Sequence, residues 1–311
     1  MSVPSDAMNR LVLNQEGGAG DRAPLDETRA ASRFGLIVRR FGQRRLAVAG
    51  LAVLVGLFVL AFVGPLLSRW SYTSHDFDAF LQGPSATHWF GTTQGGADVF
   101  AQTMRGMQKS LIIGLLVALL STTLAAVVGA FAGYLGGWVD RVLMWFVDLL
   151  LVIPSFLILA IMSPAFREET WLLFVILLAA FIWMVTARIV RGMTISLRER
   201  EYVLAARYMG VSTPRIIFRH ILPNISSLLI IDATINVSVA IISETGLSYF
   251  GFGVQSPEVS LGTLIAAGTN DAVTYPWLFM FAAGLLVLIV LSVNLVGDGL
   301  RDAIDPTSKH A

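Results

Sequence analysis

The sequence predicts an all-α polytopic membrane protein with six transmembrane helices and cytoplasmic N- and C-termini. Three observations carry that prediction. The first is composition: of 311 residues, 55% are hydrophobic and 14% charged, against roughly 25% charged in soluble domains. A soluble globule of this length has too much surface to cover with so few charges. The second is the recurrence of apolar runs near the roughly 20 residues that a helix needs to cross the hydrocarbon core. The third is an uneven distribution of Lys and Arg, which sets orientation.

Residues 1–33 are polar, contain Pro, Gly and Asp, and show no apolar period, so they read as a disordered cytoplasmic tail. They are not a secretory signal, because the apolar segment begins too late and runs too long. Span one covers 46–67 without a charge, and Arg39, Arg40, Arg44 and Arg45 before it hold the N-terminus in the cytoplasm. Span two is expected at 110–134, span three at 141–163 with Asp148 and Pro154 inside it, and span four at 171–186. Spans five and six follow at 224–247 and 276–296, and 307–311 is a short tail. An even number of spans returns the C-terminus to the cytoplasm. Only Arg69, Arg105, Lys109 and Arg167 fall outside, leaving 18 of the 22 basic residues inside.

Several function classes are excluded at once. The chain has no cysteine, which removes disulfides, thiolate catalysis and zinc–thiolate sites. The histidines, His75, His88, His220 and His310, form no pair at metal-ligand spacing. A net charge of +1 gives no reason to expect nucleic acid as a partner. Lys109-Ser110 lacks the P-loop glycines, with Thr103 and Gln108 in their places. If ATP drives this protein, another chain must bind it.

The loop between spans four and five is the most informative segment. A helical stretch near Glu201 to Met209 places Tyr202, Ala205, Ala206 and Met209 on one stripe. Gly210 then ends it as a left-handed residue would. Thr213-Pro214 starts a second helix with a hydroxyl cap and an early proline. Ile216, Ile217 and Ile221 face one way, and Leu222-Pro223 closes the segment. The pattern is two short helices bent at a glycine. It fits a docking element, and it equally fits an amphipathic helix resting on lipid.

Tyr202-Val-Leu-Ala-Ala-Arg-Tyr-Met-Gly210, followed by Ile216-Ile-Phe-Arg-His-Ile-Leu-Pro-Asn224, resembles the EAA loop of ABC importer permeases, above all the C-type permease of dipeptide and oligopeptide importers. Leu204 stands where that motif has glutamate, and Glu201 lies one turn earlier on nearly the same face. His220 stands where isoleucine is usual. His88-Trp-Phe-Gly-Thr-Thr-Gln-Gly-Gly-Ala-Asp98 is similar to the family's H-x-F-G-T-D-x-x-G-R-D, with Thr93 and Ala97 replacing its Asp and Arg. Further blocks, Gly133 to Asp140, Asp148 with Pro154, Leu247 to Pro257 and Asn294 to Pro306, agree in order and spacing. The resemblance covers about 34–306 and implies a type-1 ABC transmembrane domain in a prokaryotic inner membrane. It further implies a sister permease, two ATPase subunits carrying ATP and magnesium, and an extracytoplasmic substrate-binding protein, with no cofactor or catalysis in this chain. The loop would then be the coupling helix, with Glu201, Tyr202, Ala205, Ala206, Arg207, Gly210, Leu222 and Pro223 as its ATPase-coupling residues.

Asp148, Asp232 and Glu244 are carboxylates inside predicted spans. Such groups face a bundle interior or water, so they are candidates for the translocation path. Bonding to Ser, Thr or backbone is the competing reading. Glu244, near the outer end of span five, is expected to be hydrated. These carboxylates keep an ion-coupled secondary transporter open as an alternative, as are haem, nickel chelates or oligosaccharides as cargo of the same machine. An intramembrane aspartyl protease on Asp148 and Asp298 is disfavoured, because Gly297-Asp298-Gly299 reads as a helix end and turn. The apolar but interrupted segment 248–275, free of Lys and Arg, is expected to be a partly helical external or re-entrant piece packed on the bundle.

Overall fold

The computed structural model describes residues 33–162, 171–255 and 257–304. The tails expected at 1–33 and 307–311 lie outside the described residues, apart from Arg33, where the first helix begins. Among the described residues the regular elements are helices, with two isolated bridges and no strand. Five helices are long and apolar enough to cross a membrane, or six spans if one bent pair is counted as a span.

Helix α1 (Arg33–Gln43) is short, and the extended backbone at Arg44 separates it from α2 (Arg45–Leu67). The segment 68–98 has no helix. It folds into a compact knot held by two isolated antiparallel bridges, His75 with Ala97 and Thr92 with Asp98. Helix α3 (Val99–Leu135) has 37 residues, about 55 Å at 1.5 Å per residue. It starts at Val99 rather than near Ser110, because Asp98 caps it by accepting from Ala101 N at 2.7 Å.

Span three is not one straight helix. It is α4 (Gly137–Val152) and α5 (Ser155–Met162), bent by 75° at Ile153-Pro154, where proline disfavours helix in the residue before it. The end of that predicted span, Ser163, lies outside the described residues, as does Arg167. Helix α6 (Trp171–Arg198) runs well beyond Thr186, because Arg188 and Arg191 are paired with Asp148 and Asp140 of α4.

After α6 come α7 (Glu201–Tyr208), α8 (Thr213–Ile216), one π-helical turn (Ile217–Ile221) and α9 (Leu222–Tyr249). Two local expectations are corrected here. Ser212, not Thr213, occupies the cap position, and it makes no side-chain capping bond. Leu222-Pro223 does not end the segment, since the chain from Thr213 to Tyr249 runs on as one long helix. The wide turn absorbs the proline, which lies within the first two residues of α9, and Asn224 Nδ2 donates to His220 O at 2.6 Å. Helix α10 (Leu261–Thr269) opens with a reciprocal Ser260/Thr263 capping box, so 248–275 is partly helical, as expected. Helix α11 (Trp277–Ile304) passes straight through Gly297-Asp298-Gly299. The turn expected there does not form, because Gly299 lets α11 pack against Ala47 and Phe41, where a Cβ would lie 2.2 Å from that of Ala47.

The most extensive helix contact is α3 with α6. Gly129 and Gly133, spaced as a G-x-x-x-G pair, make it possible: a Cβ would meet Ala187 O at 2.4 Å and Arg191 O at 2.6 Å. Small residues of this spacing let membrane helices approach closely. Helix α9 packs on α3 and α11, and α2 packs on α11. The long helices therefore form a bundle with two distinct ends. One carries α1, the α7–α8 elbow and the end of α11; the other carries the knot and α10.

Candidate functional site

The elbow is built from local rules. Helix α7 starts after the extended Arg200, whose carbonyl accepts from Val203 N and Leu204 N at 2.9 and 3.0 Å. It ends in a Schellman motif: Val211 N donates to Ala206 O at 3.1 Å and Gly210 N to Arg207 O at 3.0 Å. Gly210 has φ +76°, the left-handed conformation the sequence called for. Val203 and Ala206 turn inward with Ile216, Ile217 and Ile221 against Ala130 and Val190. Each branched side chain buried there contributes about 1.5–3 kcal/mol, so the elbow is fastened to α3 and α6 as one body. The opposite face carries Glu201, Tyr202, Ala205, Arg207 and Gly210, all exposed, together with Tyr208 and Met209 at 86% and 76% exposure. Arg198 Nη1 ties the end of α6 to Gly133 O at 3.1 Å.

The three span carboxylates sit in different surroundings. Asp148 is paired with Arg188, and both side chains are about half exposed on the isolated chain, at 57% and 51%. Asp232 joins three helices: Thr186 Oγ1 donates to it at 2.8 Å, Thr122 Oγ1 at 3.3 Å and Asn236 Nδ2 at 2.9 Å. Glu244 is fully buried. It accepts from Ser248 Oγ at 2.6 Å and Ser110 Oγ at 3.2 Å. The expectation of a hydrated Glu244 is overturned, because the lead-in to α10 closes over it. Leu261 N donates to Ser110 Oγ at 3.2 Å and Ser260 Oγ lies 3.4 Å from Ser248 Oγ.

The model of the family described as "Binding-protein-dependent transport system inner membrane component" matches residues 125–310. That span contains α4 to α11, and with them the elbow and all three span carboxylates, on α4 and α9. The chain belongs to this family. A second model, the N-terminal TM domain of oligopeptide transport permease C, matches 32–84, which takes in α1, α2 and half of the knot. Among curated relatives, the oligopeptide transport system permease protein OppC of Mycobacterium tuberculosis is 58% identical over 283 residues, 91% of this chain and 97% of that protein. OppC of Bacillus subtilis is 36% identical over 98% of each chain. The dipeptide transport system permease protein DppC of Alkalihalophilus pseudofirmus is 34% identical over 92% of this chain and 94% of its own length.

Within this inner-membrane component, the residues expected at the coupling loop do not share one surface. Glu201, Tyr202, Ala205, Arg207 and Gly210 are exposed on the elbow, whereas Ala206 is 2% exposed and serves the chain's own core. Ala206 is therefore corrected from a partner-facing to an inward position, since α7 buries the face shared with Val203. Leu222 packs beneath the elbow and Pro223 is exposed beyond the π turn. Tyr208 was not singled out by the sequence reading, although it lies next to Met209 on the exposed side. A period-based stripe does not find it, because an outward aromatic breaks the apolar pattern instead of making one.

Proposed function

We propose that this chain is the membrane-spanning subunit of an ATP-driven importer of di- and oligopeptides. The observation that carries the reading is 58% identity across 91% of the chain to an oligopeptide permease, supported by the 34% identical dipeptide permease. Both termini and the elbow lie in the cytoplasm, where the seven Arg of 188–219 lie. Two ATPase subunits bind ATP and magnesium and dock on the exposed elbow face. A sister permease completes the path, and an extracytoplasmic binding protein delivers peptide at the knot end. This chain catalyses no covalent step.

The geometry supports a rigid-body mechanism. When the ATPase pair closes on ATP, force on Tyr202, Ala205 and Arg207 passes through Val203 and Ile216 into α3 and α6. These move together because Gly129 and Gly133 seat one helix on the other. The bundle then closes at the elbow end and opens at the knot end, and hydrolysis resets it. The test is purification from the native membrane in mild detergent, identification of stoichiometric partners by mass spectrometry, and reconstitution in liposomes. Peptide uptake that requires ATP, the ATPases and the binding protein is expected. Uptake by this chain alone under an ion gradient would overturn the reading in favour of a secondary transporter.

A further inference from the structure

We propose that the cavity between the knot, the start of α3, α10 and the start of α11 receives a lysine or arginine side chain of the extracytoplasmic binding protein. The inference rests on the reading above, in that the knot end faces the binding protein. The cavity has a volume of about 200 Å³, below the roughly 300–1,000 Å³ of pockets that enclose a small-molecule ligand. It has room for one long side chain. Val99, Leu264, Ala267 and Leu278 give it apolar walls. Gly268 keeps those walls close, because a Cβ there would lie 2.5 Å from Leu278 O.

Its one charged member is acidic. Asp271 is the single charged residue of the lining, half-buried, and its carboxylate makes no ion pair among the described residues. Gln94 and Gln102 line the same cavity, and the fully buried Thr103 contributes a hydroxyl with no hydrogen-bond partner. Apolar walls with an uncompensated carboxylate match the anatomy of Lys and Arg, whose methylene stems pack on apolar surface while the head keeps its charge satisfied. The whole segment 248–275 lacks Lys and Arg, so nothing on α10 or its flanks supplies the missing cation. Helix α10 is itself held in place by Glu258, which accepts from Arg105 at 3.1 Å and pairs with Lys109 at 3.3 Å. That contact ties the lead-in to α10 to α3, the opposite wall of the cavity.

The test uses the intact complex in nanodiscs and its co-purified binding protein, with Kd measured by biolayer interferometry at low and high salt. Asp271→Asn is expected to raise Kd about tenfold and to flatten its salt dependence, as loss of one charge pair does. Ala267→Trp, which fills the socket from an exposed position, is expected to weaken binding similarly. An unchanged melting temperature shows that neither variant unfolds the complex. Unchanged Kd in both variants overturns the socket and leaves the importer reading intact. If Asp271→Asn instead leaves Kd alone and raises KM for free-amine peptides over N-acetylated ones, the occupant is cargo and the proposal fails. A wild-type complex that binds no binding protein overturns the underlying reading itself.

Discussion

The two ends of the bundle are held together by opposite chemistries. The elbow end is apolar inside and polar outside: Val203, Ala206, Ile216, Ile217 and Ile221 fill its interior, and Glu201, Arg207 and Tyr208 stand in the open. The knot end is stitched by buried polar groups. His88 presents both ring nitrogens to carboxylates, Nδ1 to Asp98 at 2.8 Å and Nε2 to Asp76 at 3.3 Å, beneath the stacked ring of Trp70. Trp277 Nε1 donates to Thr92 O at 3.2 Å, fastening α11 to the knot. The difference matters for what each end does. Apolar packing is non-directional, which suits the force-transmitting role proposed for the elbow. Buried hydrogen bonds fix one arrangement and are costly to leave half-made, which suits a surface that must present a fixed shape.

If that contrast is sound, the largest stability loss in the molecule comes from breaking the knot at Asp98. Asp98→Ala removes the cap of a 37-residue helix and strips the buried His88 of the nearer of its two carboxylates. Removing one member of a buried, charge-bearing pair costs about 3–5 kcal/mol, so the variant is expected to lose its folded yield in detergent. Asp98→Asn, which keeps an acceptor for Ala101 N, is expected to recover part of that loss. Thermal unfolding of the purified complex checks both. Equal stability of Asp98→Ala and wild type would erase the distinction between the ends.

The next effect is at the α3–α6 seam, where the two ends are joined. Gly129→Leu pushes a side chain into Ala187 O and Val190. Overpacking of this kind costs about 1–3 kcal/mol, and the expected signature is ATP hydrolysis retained with peptide uptake lost, measured side by side in proteoliposomes. Gly210 sharpens the same point without any clash, since nothing lies within 4 Å of where its Cβ would stand. Gly210→Val is opposed only by the left-handed backbone, at about 1–2 kcal/mol. It is expected to unwind the elbow and uncouple hydrolysis from uptake. Gly210→Asn, whose side chain tolerates that conformation, is expected to keep most coupling. Normal transport by the valine variant would remove the elbow from the force path.

How much of this was legible in the sequence follows the same division. Gly210 and the inward isoleucines could be read because their causes lie within a few residues. The first and last spans could be read because lipid-length apolar runs are local signals. The start of α3 was only half legible: its cap, Asp98, is local, but the polar first turns that follow are not. Gln102, Arg105, Gln108 and Lys109 look like loop, and they are helical because of distant partners: Glu258 for the two cations, Trp171 under Lys109 at 4.3 Å, and Ala61 O for Gln108. The extension of α6 was hidden for the same reason, through Asp140 and Asp148. The closed surroundings of Glu244 depend on α10 folding back from sixteen residues and more downstream, which no window along the chain reveals. The G-x-x-x-G at Gly129 and Gly133 was visible in the string and passed over, because small residues within an apolar run read as ordinary lipid-facing filler.

The smallest stability effect is expected at Asp148 and Arg188, and it bears most directly on the transport path. Both side chains are half exposed on the isolated chain, so the pair contributes only about 0–1 kcal/mol to stability. An ion pair open to lipid would be expensive, so its face is expected to meet water or another protein. Asp148→Asn and Arg188→Gln are each expected to leave the melting temperature within about 2–4 °C of wild type. The charge-swapped double variant, Asp148→Arg with Arg188→Asp, separates the two roles. If the pair only fastens α4 to α6, the swap restores uptake to the wild-type rate. If Asp148 lines the path, the swap stays defective in peptide KM although the melting temperature is normal, because the cargo meets the wrong charge at that position.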